Sequence, residues 1–189
     1  MKIGLYFGSF NPIHVGHLII ANHIANNTDI EQVWIVVSPQ NPFKIKDSLL
    51  NKYHRKYLID IAIDGEKKLK SSTIEFSLPI PSYTIDTITY LKEKYPSNIF
   101  SVIMGSDSFQ NITKWKNYEM LINNYQVLVY ERPGFKSENN LNKNIISLKA
   151  PLLDISSTRI REMIKKGESI KFLVPDVVKE EIEKNHYYK

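Results

Sequence analysis

The sequence predicts an α/β fold: a doubly wound, mostly parallel sheet with helices on both faces and a helical C-terminal end. Three observations predict it. Apolar, β-branched runs alternate with segments of helical spacing along most of the chain, the order that yields parallel strands joined by crossover helices. The runs at Lys2–Phe7, Gln32–Ser38 and Asn98–Met104 are almost wholly apolar rather than alternating, as strands covered on both faces are. No linker or internal repeat divides the 189 residues, a length near that of one domain.

The elements follow in order. Lys2–Phe7 reads as a buried strand, broken by Gly8-Ser9-Phe10-Asn11-Pro12. From Val15 to Asn27, the residues Leu18, Ile19, Ile20, Ala21, Ile24 and Ala25 recur with helical spacing. Gln32–Ser38 is a second strand, followed by the loop Pro39–Pro42. Tyr53–Ile63 is a helix with Tyr57, Leu58, Ile61 and Ala62 as its expected inner face. Ser72–Phe76 is an expected strand, ended by Pro79 and Pro81. Thr84–Lys94 is a helix with Ile85, Ile88 and Leu91 inward. Asn98–Met104 is a strand ending in Gly105, and Tyr118–Ile122 is a short helix. Tyr125–Tyr130 is a strand, then the turn Arg132-Pro133-Gly134, then a strand at Asn144–Leu148. Helices at Ser157–Lys166 and Asp176–Asn185 make Asp154 to Lys189 an expected helical end.

Composition narrows the function. Hydrophobic residues make up 42% of the chain, enough for a sizeable core. There is no Cys, which excludes disulfides, cysteine-ligated zinc, iron–sulfur clusters and a thiol nucleophile. The N-terminal apolar run is too short for a signal peptide, and no stretch approaches the ~20 apolar residues of a membrane span. A cytoplasmic protein is the expectation. The net charge of +5 suits anionic ligands. No basic stripe is interleaved with aromatics, so nucleic acid is not the expected partner.

Two segments carry chemistry. The first is Gly8-Ser9-Phe10-Asn11-Pro12-Ile13-His14-Val15-Gly16-His17, joining the first strand to the first helix. His14 and His17 share a face of the first turn, and Gly16 leaves the space between them unfilled. Imidazoles beside a helix N-terminus suit phosphate, because free N–H groups and the dipole already attract anions. A bare HxxH is more often a helix-entry loop with two surface histidines; the strand, Gly8, Ser9, Pro12 and Gly16 favour the phosphate site. Metalloprotease helices space their histidines four apart around a Glu, so zinc is disfavoured. The second segment is Asp154-Ile155-Ser156-Ser157-Thr158-Arg159-Ile160-Arg161. Ser157 is an expected N-cap, and Ile160 closes no capping box, leaving N–H groups for an outside anion. Thr158 and Arg161 share a face and add a hydroxyl and a guanidinium. Alone, this segment is better read as an ordinary capped surface helix.

Together, GSFNPIHVGH and ISSTRIR resemble the paired HxGH and ISSTxxR signatures of the nucleotidyltransferase superfamily. Within it, the chain is similar over essentially its whole length to the bacterial nicotinate-nucleotide adenylyltransferases, with matching pieces at Ser82-Tyr83-Thr84, Gly105-Ser106-Asp107, Lys114-Trp115, Glu131-Arg132-Pro133-Gly134 and Leu173-Val174-Pro175-Asp176. HxGH alone marks the superfamily; the pair of signatures is far more specific.

The resemblance implies a Rossmann-like fold and adenylyl transfer from ATP to nicotinate mononucleotide, giving deamido-NAD and pyrophosphate by direct in-line attack. It implies ATP across His14, His17, Ser157, Thr158 and Arg161, with Gly8, Ser9 and Phe10 lining the nucleotide by main chain. His17 first, then His14 and Arg161, would stabilise phosphoryl charge. Gly105 and Asp107 would hold adenosine, Asp107 through ribose hydroxyls; a plain helix N-cap is the other account of Asp107. Trp115 would stack on the pyridine ring, or else pack as core. Main-chain N–H groups near Tyr83 and Thr84 would bind the pyridine carboxylate. Lys44 and Arg132 would meet the mononucleotide phosphate, or else be solvated loop cations. Mg²⁺ would ride on the ATP phosphates, the chain showing no carboxylate cage, and the family suggests a homo-oligomer. One departure stands out: many members carry Pro-Pro-His where this chain has Pro42-Phe43-Lys44, so Lys44 would replace any histidine role. The nearer rivals are a pantetheine-phosphate adenylyltransferase or a cytidylyltransferase, which leave Tyr83-Thr84 with Trp115 unexplained. The distant rival is a non-catalytic nucleotide sensor.

Overall fold

The structure is a computed structural model that describes residues 1–40, 49–132, 134–135, 141–149, 151 and 153–189. Lys44 with its Pro42-Phe43 neighbours, and Pro133 of the expected turn, lie outside the described residues.

Six parallel strands form one sheet in the order β3-β2-β1-β4-β5-β6. They are β1 (Lys2–Gly8), β2 (Gln32–Val37), β3 (Leu69–Ser72), β4 (Ile99–Gly105), β5 (Gln126–Tyr130) and β6 (Ile145–Leu148). Among the described residues, seven α-helices connect and cover them: α1 (Val15–Asn27), α2 (Lys52–Ala62), α3 (Thr84–Lys94), α4 (Ser106–Phe109), α5 (Tyr118–Asn124), α6 (Ser157–Lys165) and α7 (Asp176–Lys184). No described helix is long and apolar enough to cross a membrane.

Strand alternation splits the core into two. Along β2, Val33, Ile35 and Val37 join the layer of α1, α2, α6 and α7, where Ile24, Leu58, Ile160 and Ile182 are buried. Trp34 and Val36 face the other way, into the layer of Ile85, Ile88 and Leu91 from α3 and Leu121 from α5. Each such side chain contributes roughly 1.5–3 kcal/mol of transfer free energy. Burial on both faces is why these strands read as continuous apolar runs.

The winding direction reverses between β1 and β4. The carboxyl ends of these neighbours therefore border a crevice, the place where open parallel sheets bind ligands. Gly8 ends β1 and Gly105 ends β4 on that edge.

Several expectations are corrected. The strand expected at Ser72–Phe76 lies earlier, at Leu69–Ser72, and Ile74–Ser77 is a 3₁₀ turn. Ile74 and Phe76 suggested a strand by composition, but it is Leu69–Ser72 that finds hydrogen-bond partners on β2. In α2 the inner face carries Arg55, Leu58 and Ile59, whereas Tyr57 is 47% exposed. Arg55 takes an inner position because main-chain carbonyls satisfy its guanidinium. The helix α6 is capped by Ser156, whose side chain accepts from the Arg159 N–H, and not by Ser157. Within the C-terminal end, residues 166–175 are non-helical.

Candidate active site

A cavity of about 290 Å³ opens at the reversal point, lined from β1 and its loop by Gly8, Ser9 and Phe10, from α1 by His17, from the β4–α4 junction by Gly105 and Asp107, and from α6 by Ser157. Its far side is made by Ser82, Tyr83 and Thr84 at the start of α3, and by Lys114, Trp115 and Lys116.

The β1–α1 loop is built around aromatic contacts. Phe10 adopts a left-handed backbone (φ 45°), which folds its ring back over Gly8. A Cβ at Gly8 would lie 2.9 Å from that ring, so the glycine makes room for Phe10. Buried Phe10 meets His17 edge-on at 5.0 Å and Tyr6 at 5.5 Å between ring centroids. Behind His17, the His14 ring stacks at 3.6 Å. A side chain on Gly16 would approach His14 Nδ1 to 3.0 Å, so Gly16 belongs to this stack. His14 is the N-cap of α1 but its side chain makes no cap bond. The first amide of the helix, Val15 N–H, donates to Leu173 C=O at 3.0 Å.

His14 is buried, and its Nδ1 has no hydrogen-bond partner among the described residues. Burial, helped by the positive charge of Arg132, lowers its pKa to about 3. It is a neutral imidazole at pH 7. Of the two histidines expected to stabilise phosphoryl charge, only His17 lines the main cavity. His14 lines a smaller cavity with His17, Gly16, Tyr130 and Arg132 rather than the main one.

The two ends of the chain are stapled together here. Ser157 Oγ donates to Pro12 C=O at 2.9 Å, and Arg161 Nη1 donates to Asn11 C=O at 2.8 Å. Arg161 Nη2 also reaches Thr158 Oγ1 at 3.3 Å. Of this signature only Ser157 lines the main cavity; Thr158 and Arg161 do not. In the structure, Arg161 is engaged in holding the loop.

At the end of β4, Asp107 and Arg132 form an ion pair of 3.0 Å. Asp107 sits in the first turn of the four-residue α4, whose N-cap is Gly105, so it is not itself the cap. A Cβ on Gly105 would strike Asp107 Oδ1 and come within 2.9 Å of Arg132 Cδ. Ser106 Oγ donates to Phe135 C=O and accepts from Arg132 N–H, each at 2.9 Å, fixing the β4 and β5 ends to each other. Arg132 is thus no free loop cation: it faces the cavity already paired with the residue expected at the ribose.

On the opposite side, Tyr83 is the N-cap of α3 with no side-chain cap bond. A helix start leaves main-chain N–H groups without intrahelical acceptors, and here that start lines the cavity. Lys116 lies 4.9 Å above the Tyr83 ring and pairs with Asp86 at 2.7 Å. Trp115 is half-buried; it lines the cavity and packs on the α3–α5 core.

Comparison with known proteins agrees with this architecture. The Cytidylyltransferase-like family model matches residues 5–163. The probable nicotinate-nucleotide adenylyltransferase of Flavobacterium psychrophilum is 50% identical, with all of both chains covered. That of Cytophaga hutchinsonii is also 50% identical over all of this chain and 98% of its own. The chain belongs to the nicotinate-nucleotide adenylyltransferases. Among solved structures, Plasmodium falciparum nicotinic acid mononucleotide adenylyltransferase complexed with NaAD superposes with a TM-score of 0.86 at 25% identity, covering 99% of this chain and 97% of that one.

For an adenylyltransferase of this family, sequence reasoning assembled much of the cavity wall but missed its buried supports. Arg55 is fully buried and donates to Leu50, Ser9, Ser38 and Pro39 carbonyls at 2.8, 2.5, 2.9 and 3.3 Å. Burial lowers its pKa only to about 10, so it stays charged. Glu75, 2% exposed, lines the cavity floor. Tyr6 and Tyr130 join hydroxyls at 3.0 Å beneath the Asp107–Arg132 pair. A charged residue inside an otherwise apolar helical stripe was the one signal that pointed to Arg55; Lys116 had a signal only in its place beside Trp115.

Proposed function

We propose that this chain transfers the adenylyl group of ATP to nicotinate mononucleotide, forming nicotinate adenine dinucleotide and pyrophosphate. One observation carries the reading: a single cavity spans the reversal point, with His17, Ser157 and the β1 loop on one side and the α3 start with Trp115 on the other. The first side suits a triphosphate, the second a flat ring bearing a carboxylate. The NaAD carried by the Plasmodium protein supports the same substrate class.

The 5′-phosphate oxygen of the mononucleotide bonds to the α-phosphorus of ATP. The bond from that phosphorus to the bridging oxygen breaks, and pyrophosphate leaves with the electron pair. The attacking phosphate is already anionic near neutral pH, so no base is required. The chain supplies alignment and charge stabilisation. His17 reaches the α-phosphoryl oxygens. Neutral His14 fixes the His17 ring by stacking. Ser157 and the main chain of Gly8, Ser9 and Phe10 line the triphosphate. Arg161 and Thr158 act by holding the Asn11–Pro12 loop. Gly105 and Asp107 border the adenosine, and Arg132, with Lys44, meets phosphate of the mononucleotide. Trp115 stacks on the pyridine ring, and the Tyr83–Thr84 amides bind its carboxylate.

Mg²⁺ enters as part of the substrate, bound to ATP phosphates.

Pyrophosphate release from ATP, measured with nicotinate mononucleotide, its amide analogue and phosphopantetheine, tests the reading. Turnover with the nicotinate substrate supports it. Turnover confined to phosphopantetheine, or ATP binding without release, overturns it.

A further inference from the structure

We propose that Glu75 is a positioning residue that clamps the start of α3, and with it the pyridine-binding half of the cavity. This rests on the function proposed above.

Glu75 stands in the 3₁₀ turn after β3 and is buried against the cavity floor. Its carboxyl group gathers hydroxyl donors from three elements. Ser82 Oγ donates to Oε2 at 2.7 Å, and Thr87 Oγ1 donates to Oε1 at 2.9 Å. A third hydrogen bond comes from the side chain of Ser38, just beyond β2. A carboxylate accepts only, so all three hydroxyl hydrogens are directed at it. Burial raises the Glu75 pKa, and these hydrogen bonds offset that rise only in part.

The clamp matters because the segment it holds has little else. Residues 79–82 contain Pro79 and Pro81 and, among the described residues, make no main-chain hydrogen bond. The Ser82 hydroxyl is their polar tether. That segment leads directly into Tyr83 and Thr84, whose amides face the proposed pyridine carboxylate. Thr87 has a second acceptor in Tyr83 C=O at 3.2 Å, so losing Glu75 costs it less. Ser82 has none. Glutamine at this position keeps the size but replaces one acceptor oxygen with a donating NH₂, so the hydroxyl facing it must turn a lone pair inward and both charge-assisted bonds are lost.

The test is steady-state kinetics on Glu75→Gln, Ser82→Ala and the double variant, with thermal melts to compare folding. Losing a hydrogen bond to a charged group corresponds to about tenfold in affinity. Glu75→Gln is expected to raise KM for nicotinate mononucleotide about tenfold, with KM for ATP within about twofold. Ser82→Ala is expected to do the same, and the double variant no more than the worse single one, because the two act through one contact. A merely destabilised protein would shift both KM values, or neither. A folded Glu75→Gln with unchanged KM for the mononucleotide, or equal rises for both substrates, overturns the proposal. Should Glu75→Gln not fold, Ser82→Ala carries the same expectation alone. Wild-type turnover is read first: its absence overturns the function itself, and this inference with it.

Discussion

The imidazoles of His14 and His17 stack with centroids 3.6 Å apart and planes 25° from parallel. Two imidazolium ions at that spacing would repel by about 5 kcal/mol at an effective dielectric of 20. The pair therefore carries at most one positive charge. The deep burial of His14 excludes the charge from its ring, and the cavity-facing ring is His17. The HxGH spacing thus builds one cavity-facing imidazole backed by a neutral one.

That assignment has a pH signature. The folded pKa of His14 is about 3, against 6.5 for the free side chain. A depressed folded pKa means that the unfolded chain binds the proton first. Stability is intact above pH 6.5 and is lost as pH falls from there toward 3. The slope from this group approaches about 1.4 kcal/mol per pH unit. Urea unfolding between pH 7 and 5 lies above most carboxylate titrations, and comparison with a His14 variant subtracts the other histidines. His14→Asn is expected to flatten the slope; an equal slope in variant and wild type would assign it elsewhere.

His17→Ala removes the group proposed to face the α-phosphoryl oxygens. The fold and the KM for ATP are expected to change little, and kcat to fall about 10²-fold, the scale of one lost oxyanion donor. Rapid-quench turnover with saturating substrates measures it. An unchanged kcat would remove His17 from the chemistry.

Trp115→Ala separates ring stacking from core packing. The tryptophan touches both the cavity and the α3–α5 core. KM for the mononucleotide is expected to rise about tenfold, the upper end of an aromatic pair's worth, while KM for ATP stays within about twofold. Equal rises would leave Trp115 as core alone.

Arg55→Met leaves the Ser9, Ser38, Leu50 and Pro39 carbonyls without their donor. Each buried orphan costs about 1–3 kcal/mol, offset in part by removing a buried charge. A net loss of about 3 kcal/mol is expected in urea unfolding, with a raised KM for ATP because Ser9 lines the nucleotide side. An unchanged midpoint would show that water replaces the guanidinium freely.

What the sequence made legible was set by pattern. Buried strands and the α3 stripe have a period, and α3 was found with its observed bounds, Thr84–Lys94. The two signatures marked the loop and helix that meet in space, as the Ser157–Pro12 and Arg161–Asn11 hydrogen bonds show. Invisible were features defined by tertiary contact. Glu75 looks like a surface charge until the hydroxyls around it are seen, and Arg55, though it sits in an apolar stripe, gives no hint of the carbonyls it joins. The Asp107–Arg132 pair joins residues whose separation in sequence carries no period. The strand at Leu69–Ser72 has little β-propensity of its own and is fixed by pairing with β2.

The most direct test of the central claim is a single assay: pyrophosphate released from Mg-ATP by the purified chain, nicotinate mononucleotide against phosphopantetheine. The account predicts sustained release with the nicotinate nucleotide, with the dinucleotide accumulating in equal amount, and none with phosphopantetheine. Release without the dinucleotide, or only with phosphopantetheine, would contradict it.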